Sequence, residues 1–164
     1  MLVIVDMQNR ILDANDENYV PGADSIIPKI RHRLEKAREA GELILFTRDI
    51  PIEYKNESEE HFDLQIVDEL YPLATEYVFK KNYYALPPEL LIRVRELTEE
   101  RKQEKSRIEV TGVELSLCVL ANALALQGAI PEADFYIDPE LVDGNQLNEA
   151  TFRLLKEFNI EVLQ

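Results

Sequence analysis

The chain has a single cysteine, Cys118, in 164 residues, so it can form neither an internal disulfide nor a thiolate cluster around a metal. Histidine is almost as scarce, with only His32 and His61. Positive charge is in deficit: 18 Lys and Arg stand against 32 Asp and Glu, a formal net charge of -14. A field of that sign repels phosphate backbones and anionic lipid, which sets nucleic acid and membranes aside as partners. No apolar run approaches the ~20 residues needed to cross a bilayer, and Met1 leads into LVIVD with no basic n-region or small-residue cleavage site. The expected location is the cytoplasm. Internal repeats and low-complexity segments are missing too.

What is present is ordinary globular material, 46% hydrophobic and 30% charged. A length of 164 residues suits one domain, 1-164, with one sizeable core. LVIVD (2-6) reads as a buried strand ending in an acid, and the loop after it contains the turn and capping residues Pro21, Gly22 and Asp24. Ile26, Ile27, Ile30, Leu34 and Ala37 then recur at helical spacing as far as Gly41, a C-cap. LILFT (43-47) is a second strand, residues 59-70 a short helix with Phe62, Ile66, Val67 and Leu70 on one face, and YVFK (77-80) a third strand. Pro87 and Pro88 open a helix carrying Leu90, Leu91, Val94 and Leu97 inward, which dissolves into the solvated run EERKQEKSR. IEVTG (108-112) is a fourth strand, LSLCVLANALALQ a helix closed near Gly128, and DFYI (134-137) a fifth strand. A last helix packs Leu147, Ala150, Leu154 and Phe158 before IEVL (160-163). Alternating strands and helices of this kind predict an α/β three-layer sandwich around a mainly parallel, Rossmann-like sheet of about six strands.

In such a sheet, ligands bind beyond the carboxyl ends of the strands, where chain order reverses. Asp6 ends the first strand, Lys80 the third, and Cys118 follows the fourth at the opening of a helix. Brought together, a carboxylate, an ammonium and a thiol are the parts needed to activate sulfur. A nearby cation and a helix N-terminus lower a thiol pKa that begins near ~8.5, and a carboxylate can take the thiol proton and pass it to a leaving nitrogen. Each residue also has a plain structural reading: a buried thiol, a turn cap and a solvent-facing lysine.

Their order and local sequence resemble the isochorismatase-like cysteine hydrolases, the family that includes the nicotinamidases. VIVDMQN resembles that family's strand ending in Asp-x-Gln-Asn, FKKNYYAL its Lys-x-x-Tyr-Ser-Ala-Phe segment, and GVELSLCVLANAL its Gly-Val-x-Thr-x-x-Cys-Val segment. The resemblance implies Asp6 as general acid/base, Lys80 as the cation and Cys118 as the nucleophile. Lys80 is preferred to Lys81 because it stands three residues before Tyr83, and a strand points the two lysines to opposite faces. It further implies a cis peptide before Glu114, so that the backbone N–H groups of Glu114 and Cys118 form an oxyanion hole. Gln8 and Asn9 belong to the first motif and are expected to orient Asp6.

The sequence departs from the family at several points. Nicotinamidases bind a metal through Asp-x-His plus a further histidine; here TRDIPIEY has Asp49, but Pro51 replaces the first histidine. One imidazole, His61, with one carboxylate is too few for a tight zinc site, so no metal or other cofactor is expected. Leu115 stands in place of the family threonine, and Tyr84 and Leu86 in place of the serine and phenylalanine. With Gln8 and Tyr83, these residues are expected to line the substrate pocket. The function implied is hydrolysis of a small non-peptide amide or related C–N bond through a thioester on Cys118, by a homo-oligomer. The alternatives are nicotinamidase/pyrazinamidase activity and a non-catalytic binding protein on the same fold.

Overall fold

The computed structural model describes residues 1–56, 58–101, 106–144 and 147–164. Six strands form one parallel sheet: β1 (Leu2–Val5), β2 (Ile44–Asp49), β3 (Tyr77–Lys81), β4 (Arg107–Gly112), β5 (Asp134–Ile137) and β6 (Glu161–Val162), in the order β3-β2-β1-β4-β5-β6. Among the described residues, four α-helices accompany them: α1 (Ala23–Glu39), α2 (Pro88–Glu100), α3 (Leu120–Ala129) and α4 (Asn148–Glu157). Chain order reverses between β1 and β4, which places the switch point where Asp6 and the residues after Gly112 leave the sheet.

The pleat divides the core into two layers. Leu2, Ile4, Ile44 and Phe46 pack with Ile26, Ile27, Ile30, Leu34 and Ala37 of α1 on one face. Val3, Val5, Leu45, Ile108 and Val110 pack with Val94 of α2, Ala123 and Leu126 of α3 and Leu155 of α4 on the other. Successive strand residues therefore serve opposite layers, which is why β1 is apolar at every position. α1 ends where Gly41 adopts φ +64° and the Glu42 N–H reaches back to the Ala37 carbonyl, a left-handed C-cap. Among the described residues, no helix is long and apolar enough to cross a membrane.

Three expectations need correction. Residues 59–70 form two single 3₁₀ turns, Phe62–Leu64 and Asp68–Leu70, in place of a helix. Their backbone is claimed by the chain leaving β1: Asn9 N–H donates to the Gln65 carbonyl and Val67 N–H to the Met7 carbonyl, leaving Phe62 exposed. In α4 the inward residues are Thr151 and Leu155, while Leu147, Leu154 and Phe158 are exposed. Thr151 is tolerated inside because its hydroxyl donates to the Leu147 carbonyl. The helix holding Cys118 starts as a π-type turn, Leu115–Val119, before α3, and runs through Gly128 to Ala129. In the run EERKQEKSR, positions 102–105 lie outside the described residues.

Candidate active site

Asp6 is the first residue beyond β1 and adopts φ +51°, unusual for a residue with a side chain. Its N–H donates to Thr47 Oγ1 (3.2 Å), and the Thr47 hydroxyl donates to Asp6 Oδ1 (2.6 Å), so β2 fixes both the backbone and the carboxylate. Gln8, fully buried, continues the link: its Oε1 accepts from Asp49 N (2.8 Å), and its Nε2 donates to the carbonyls of Asp49 (3.0 Å) and Leu64 (2.8 Å).

The ammonium that lies beside Asp6 and Cys118 belongs to Lys81, where Lys80 was expected. Lys81 Nζ lies 2.7 Å from Asp6 Oδ2, 3.0 Å from Asp49 Oδ1, 3.0 Å from the Tyr83 carbonyl and 3.5 Å from Cys118 Sγ, with a side chain that is 0% exposed. Lys80 points the other way and pairs with Glu59 (2.9 Å) and Glu60 (2.7 Å) at the surface. Alternation along β3 decides this. Tyr77 and Phe79 pack against the layer of α2, α3 and α4, the layer that Cys118 also joins, and Lys81 shares their parity. Measured from Lys81, Ala85 comes one residue earlier than in the family's Lys-x-x-Tyr-Ser-Ala-Phe spacing.

Cys118 lies in the π-type turn after β4. Gly112, at φ +106°, ends that strand at a point where any Cβ would strike the Val5 backbone oxygen, and the Val113–Glu114 peptide that follows is cis. Asn122, one turn on, donates to the carbonyls of Cys118 (2.7 Å) and Tyr84 (2.9 Å) and accepts from the Leu86 N–H (3.0 Å). It fastens the segment after β3 to the helix carrying the thiol.

Burial, followed by the charge of Asp6, pushes the Cys118 thiol well above its ordinary pKa; Lys81 opposes this without reversing it. The resting thiol therefore keeps its proton, and the polar contact of its sulfur is with Lys81 Nζ at 3.5 Å. This corrects the expectation of a cation-lowered thiol: desolvation outweighs the ammonium. For Lys81, burial alone would lower the pKa, but the charges of Asp6 and Asp49 hold it above the usual lysine range. Burial raises Asp49, with Lys81 opposing.

The cleft over these groups measures about 50 Å³ and is lined by Asp6, Gln8, Arg10, Asp49, Glu114 and Cys118, among others. Of the residues expected to line it, only Gln8 does so. Leu86 and Leu115 are buried in the core of the α2/α3/α4 layer, and Tyr83 (74% exposed) and Tyr84 turn their rings to solvent. Ile11, Val20 and Val113 supply the apolar part of the lining in their place. Thr47, Lys81, Arg10 and Asn122 were missed as site residues in the sequence. The parity of Tyr77 and Phe79 is the one signal there that points to Lys81.

A metal of the kind held by Asp-x-His sites does not fit these residues. Asp49 is engaged by Lys81, Pro51 offers no donor, and His61 pairs with Asp63 (3.1 Å) at the surface. Among the described residues, no group of three or more His, Cys, Asp or Glu side chains is arranged to hold a metal.

The sheet order defines an α/β protein of Rossmann-like kind with a thiol, a carboxylate and a buried ammonium at its switch point. The isochorismatase domain family model matches residues 1–128, and the chain belongs to the isochorismatase family of hydrolases. Comparison with curated proteins gives no match. Among solved structures, the chain is similar to the pyrazinamidase of Pyrococcus horikoshii in complex with zinc (TM-score 0.81, 22% identity, 99% of this chain and 97% of that one). It is also similar to an isochorismatase family protein of Desulfovibrio vulgaris (0.77, 20%, 98% and 91%) and to N-carbamoylsarcosine amidase of Thermoplasma acidophilum (0.74, 17%, 99% and 94%).

Proposed function

We propose that the protein is a cysteine amidohydrolase that cleaves a small non-peptide amide or related C–N bond, with Asp6, Lys81 and Cys118 as its catalytic residues. The observation that carries this reading is the single ammonium of Lys81 in contact with both Asp6 Oδ2 (2.7 Å) and Cys118 Sγ (3.5 Å). Sγ attacks the substrate carbonyl as the thiol proton passes to Asp6, so a free thiolate need not accumulate. The oxyanion is held by the backbone N–H groups of Glu114 and Cys118. Asp6 returns the proton to the departing amine or ammonia, leaving a thioester on Cys118. Asp6 then takes a proton from the water that hydrolyses the thioester, and the thiol is regenerated. Lys81 fixes Asp6 in place and balances the charge that moves between carboxylate and sulfur.

A second reading, nicotinamidase or pyrazinamidase, is favoured by similarity to the Pyrococcus enzyme and opposed by the donor set around Asp49. Action as a homo-oligomer in the cytoplasm belongs to the same proposal; exposed Phe62, Tyr71 and Tyr83 are apolar surface for a second copy to cover, and gel filtration reads its size. Likewise, residues 1–164 are proposed to work as one domain. The deciding assay is ammonia release from a panel of nicotinamide, pyrazinamide, ureido compounds and short aliphatic amides, with parent and Cys118→Ala proteins. Turnover of one substrate, lost in Cys118→Ala, is expected; full turnover without the thiol rules the mechanism out.

A further inference from the structure

Arg10 lies in the 3₁₀ turn Asn9–Leu12 that follows β1, four residues after Asp6, and no step above uses it. It is only 8% exposed, yet it lines the cleft shared by Asp6, Asp49, Glu114 and Cys118. A guanidinium carries five N–H donors in a planar fork. Here Nε is buried with no hydrogen-bond partner, and the one side-chain hydrogen bond given to the guanidinium among the described residues is a long one, Nη2 to Asp16 Oδ1 at 3.4 Å. That oxygen already accepts from the Asn18 N–H (2.7 Å) and Asn18 Nδ2 (2.9 Å). Leaving a cation buried with unused donors is costly, and the cost is offset when an anion enters.

The other cation of the site cannot serve that purpose. Lys81 is committed to Asp6, Asp49 and the Tyr83 carbonyl. The remaining charged groups of the cleft, Asp6, Asp49 and Glu114, are carboxyl groups, so an anionic substrate meets repulsion everywhere except at Arg10. The volume of about 50 Å³ is far below the ~300–1,000 Å³ of drug-sized ligand cavities. It restricts the buried part of the substrate to a few heavy atoms.

We propose that Arg10 is the specificity-determining residue of this cleft, receiving the carboxylate of a short amide substrate whose reacting carbonyl is presented to Cys118. A planar carboxylate matches the guanidinium fork with two parallel hydrogen bonds. The substrate class is thus a short aliphatic amide or ureido compound bearing a carboxylate, as opposed to a neutral aromatic amide. This inference rests on Cys118 being the nucleophile.

The test uses the single thiol as its own reporter. Iodoacetate and iodoacetamide both alkylate sulfur with loss of iodide and differ only in carboxylate versus carboxamide. Mass spectrometry follows each rate in parent, Arg10→Gln and Asp16→Asn proteins, with the urea-unfolded chain as reference. Changes in thiol ionisation cancel in the ratio of the two rates. We expect the iodoacetate-to-iodoacetamide ratio of the folded parent to exceed that of the unfolded chain and to fall at least about tenfold in Arg10→Gln, as loss of a charged hydrogen-bond pair implies. In Asp16→Asn, which frees the guanidinium, the ratio holds or rises. A parent ratio equal to that of the unfolded chain, an unchanged ratio in Arg10→Gln, or a ratio that collapses in Asp16→Asn overturns the assignment. Should Arg10→Gln not fold, the parent and Asp16→Asn ratios still decide it. A folded thiol that neither reagent touches overturns the nucleophile reading itself, and the carboxylate assignment with it.

Discussion

Replacing Lys81 by Met keeps the length of the side chain and removes its charge. In the parent, the ammonium has a wholly buried side chain and lies within 3.0 Å of two carboxylates. Without it, Asp6 and Asp49 face each other uncompensated, and loss of one partner from a buried ion pair costs about 3–5 kcal/mol. For a chain of this size each kcal/mol moves Tm by about 2–4 °C, so Lys81→Met should melt about 6–20 °C lower. Lys80→Met is the matched control. Its side chain is 41% exposed and its partner Glu60 69% exposed, where an ion pair contributes under about 1 kcal/mol. Circular dichroism melts should therefore shift by no more than about 4 °C. Ammonia release should fall at least about 100-fold in Lys81→Met, in line with removal of a charge-stabilising group from an active site, and stay within about threefold in Lys80→Met. The stability gap of Lys81→Met should also narrow as pH falls toward 5, because protonating one carboxylate relieves the repulsion. A larger loss of stability and activity in Lys80→Met than in Lys81→Met would refute the placement of the cation.

Three further outcomes are expected. The folded-state pKa of Cys118 is raised, so the folded chain keeps a proton that the unfolded chain releases above pH ~8.5; stability is then lost as pH rises past that point, by up to about 1.4 kcal/mol per unit. Urea unfolding between pH 7 and 10 should show that decline in the parent and a shallower one in Cys118→Ala; parallel curves would contradict the burial of the thiol. Gly112→Ala should destabilise by at least about 2 kcal/mol in chemical denaturation, since φ +106° and the Val5 backbone both oppose a Cβ; wild-type stability would show that the strand end relaxes freely. Thr47→Val keeps the shape but removes the hydroxyl donated to Asp6 Oδ1, and should lower kcat about tenfold with KM little changed. An unaltered kcat would remove Thr47 from any part in orienting the carboxylate.

The strands were legible because parallel, doubly covered strands carry short apolar runs, complete in β1 and partial in β2 and β4, and all three fall within two residues of their expected bounds. Asp6 and Cys118 were legible as the residues at the strand ends nearest the switch point. The choice between Lys80 and Lys81 was not settled by motif spacing, because that spacing runs through a loop whose length can vary by a residue, whereas the pleat cannot. The sequence argument that the two lysines point apart was sound; the parity of Tyr77 and Phe79 was the information that selects between them. The segment 59–70 misled because its apolar spacing suits one helical face, but its hydrogen bonds go to Met7 and Asn9, distant contacts that no local pattern encodes. The pocket residues Tyr83, Tyr84, Leu86 and Leu115 were named by position in a motif, and position alone does not tell which way a loop side chain turns.

Gln8 gives the cleft floor a property that neither strand supplies alone. Its carboxamide acts as a peptide group carried on a side chain: it exchanges N–H and C=O bonds with Asp49 as a neighbouring strand would, after the backbone of β1 has already turned away. The last rung between the first two strands is thus built on a flexible tether of two methylene groups. The separation of Asp6 from Asp49, and with it the socket that admits one ammonium between them, is gauged by the length of a glutamine.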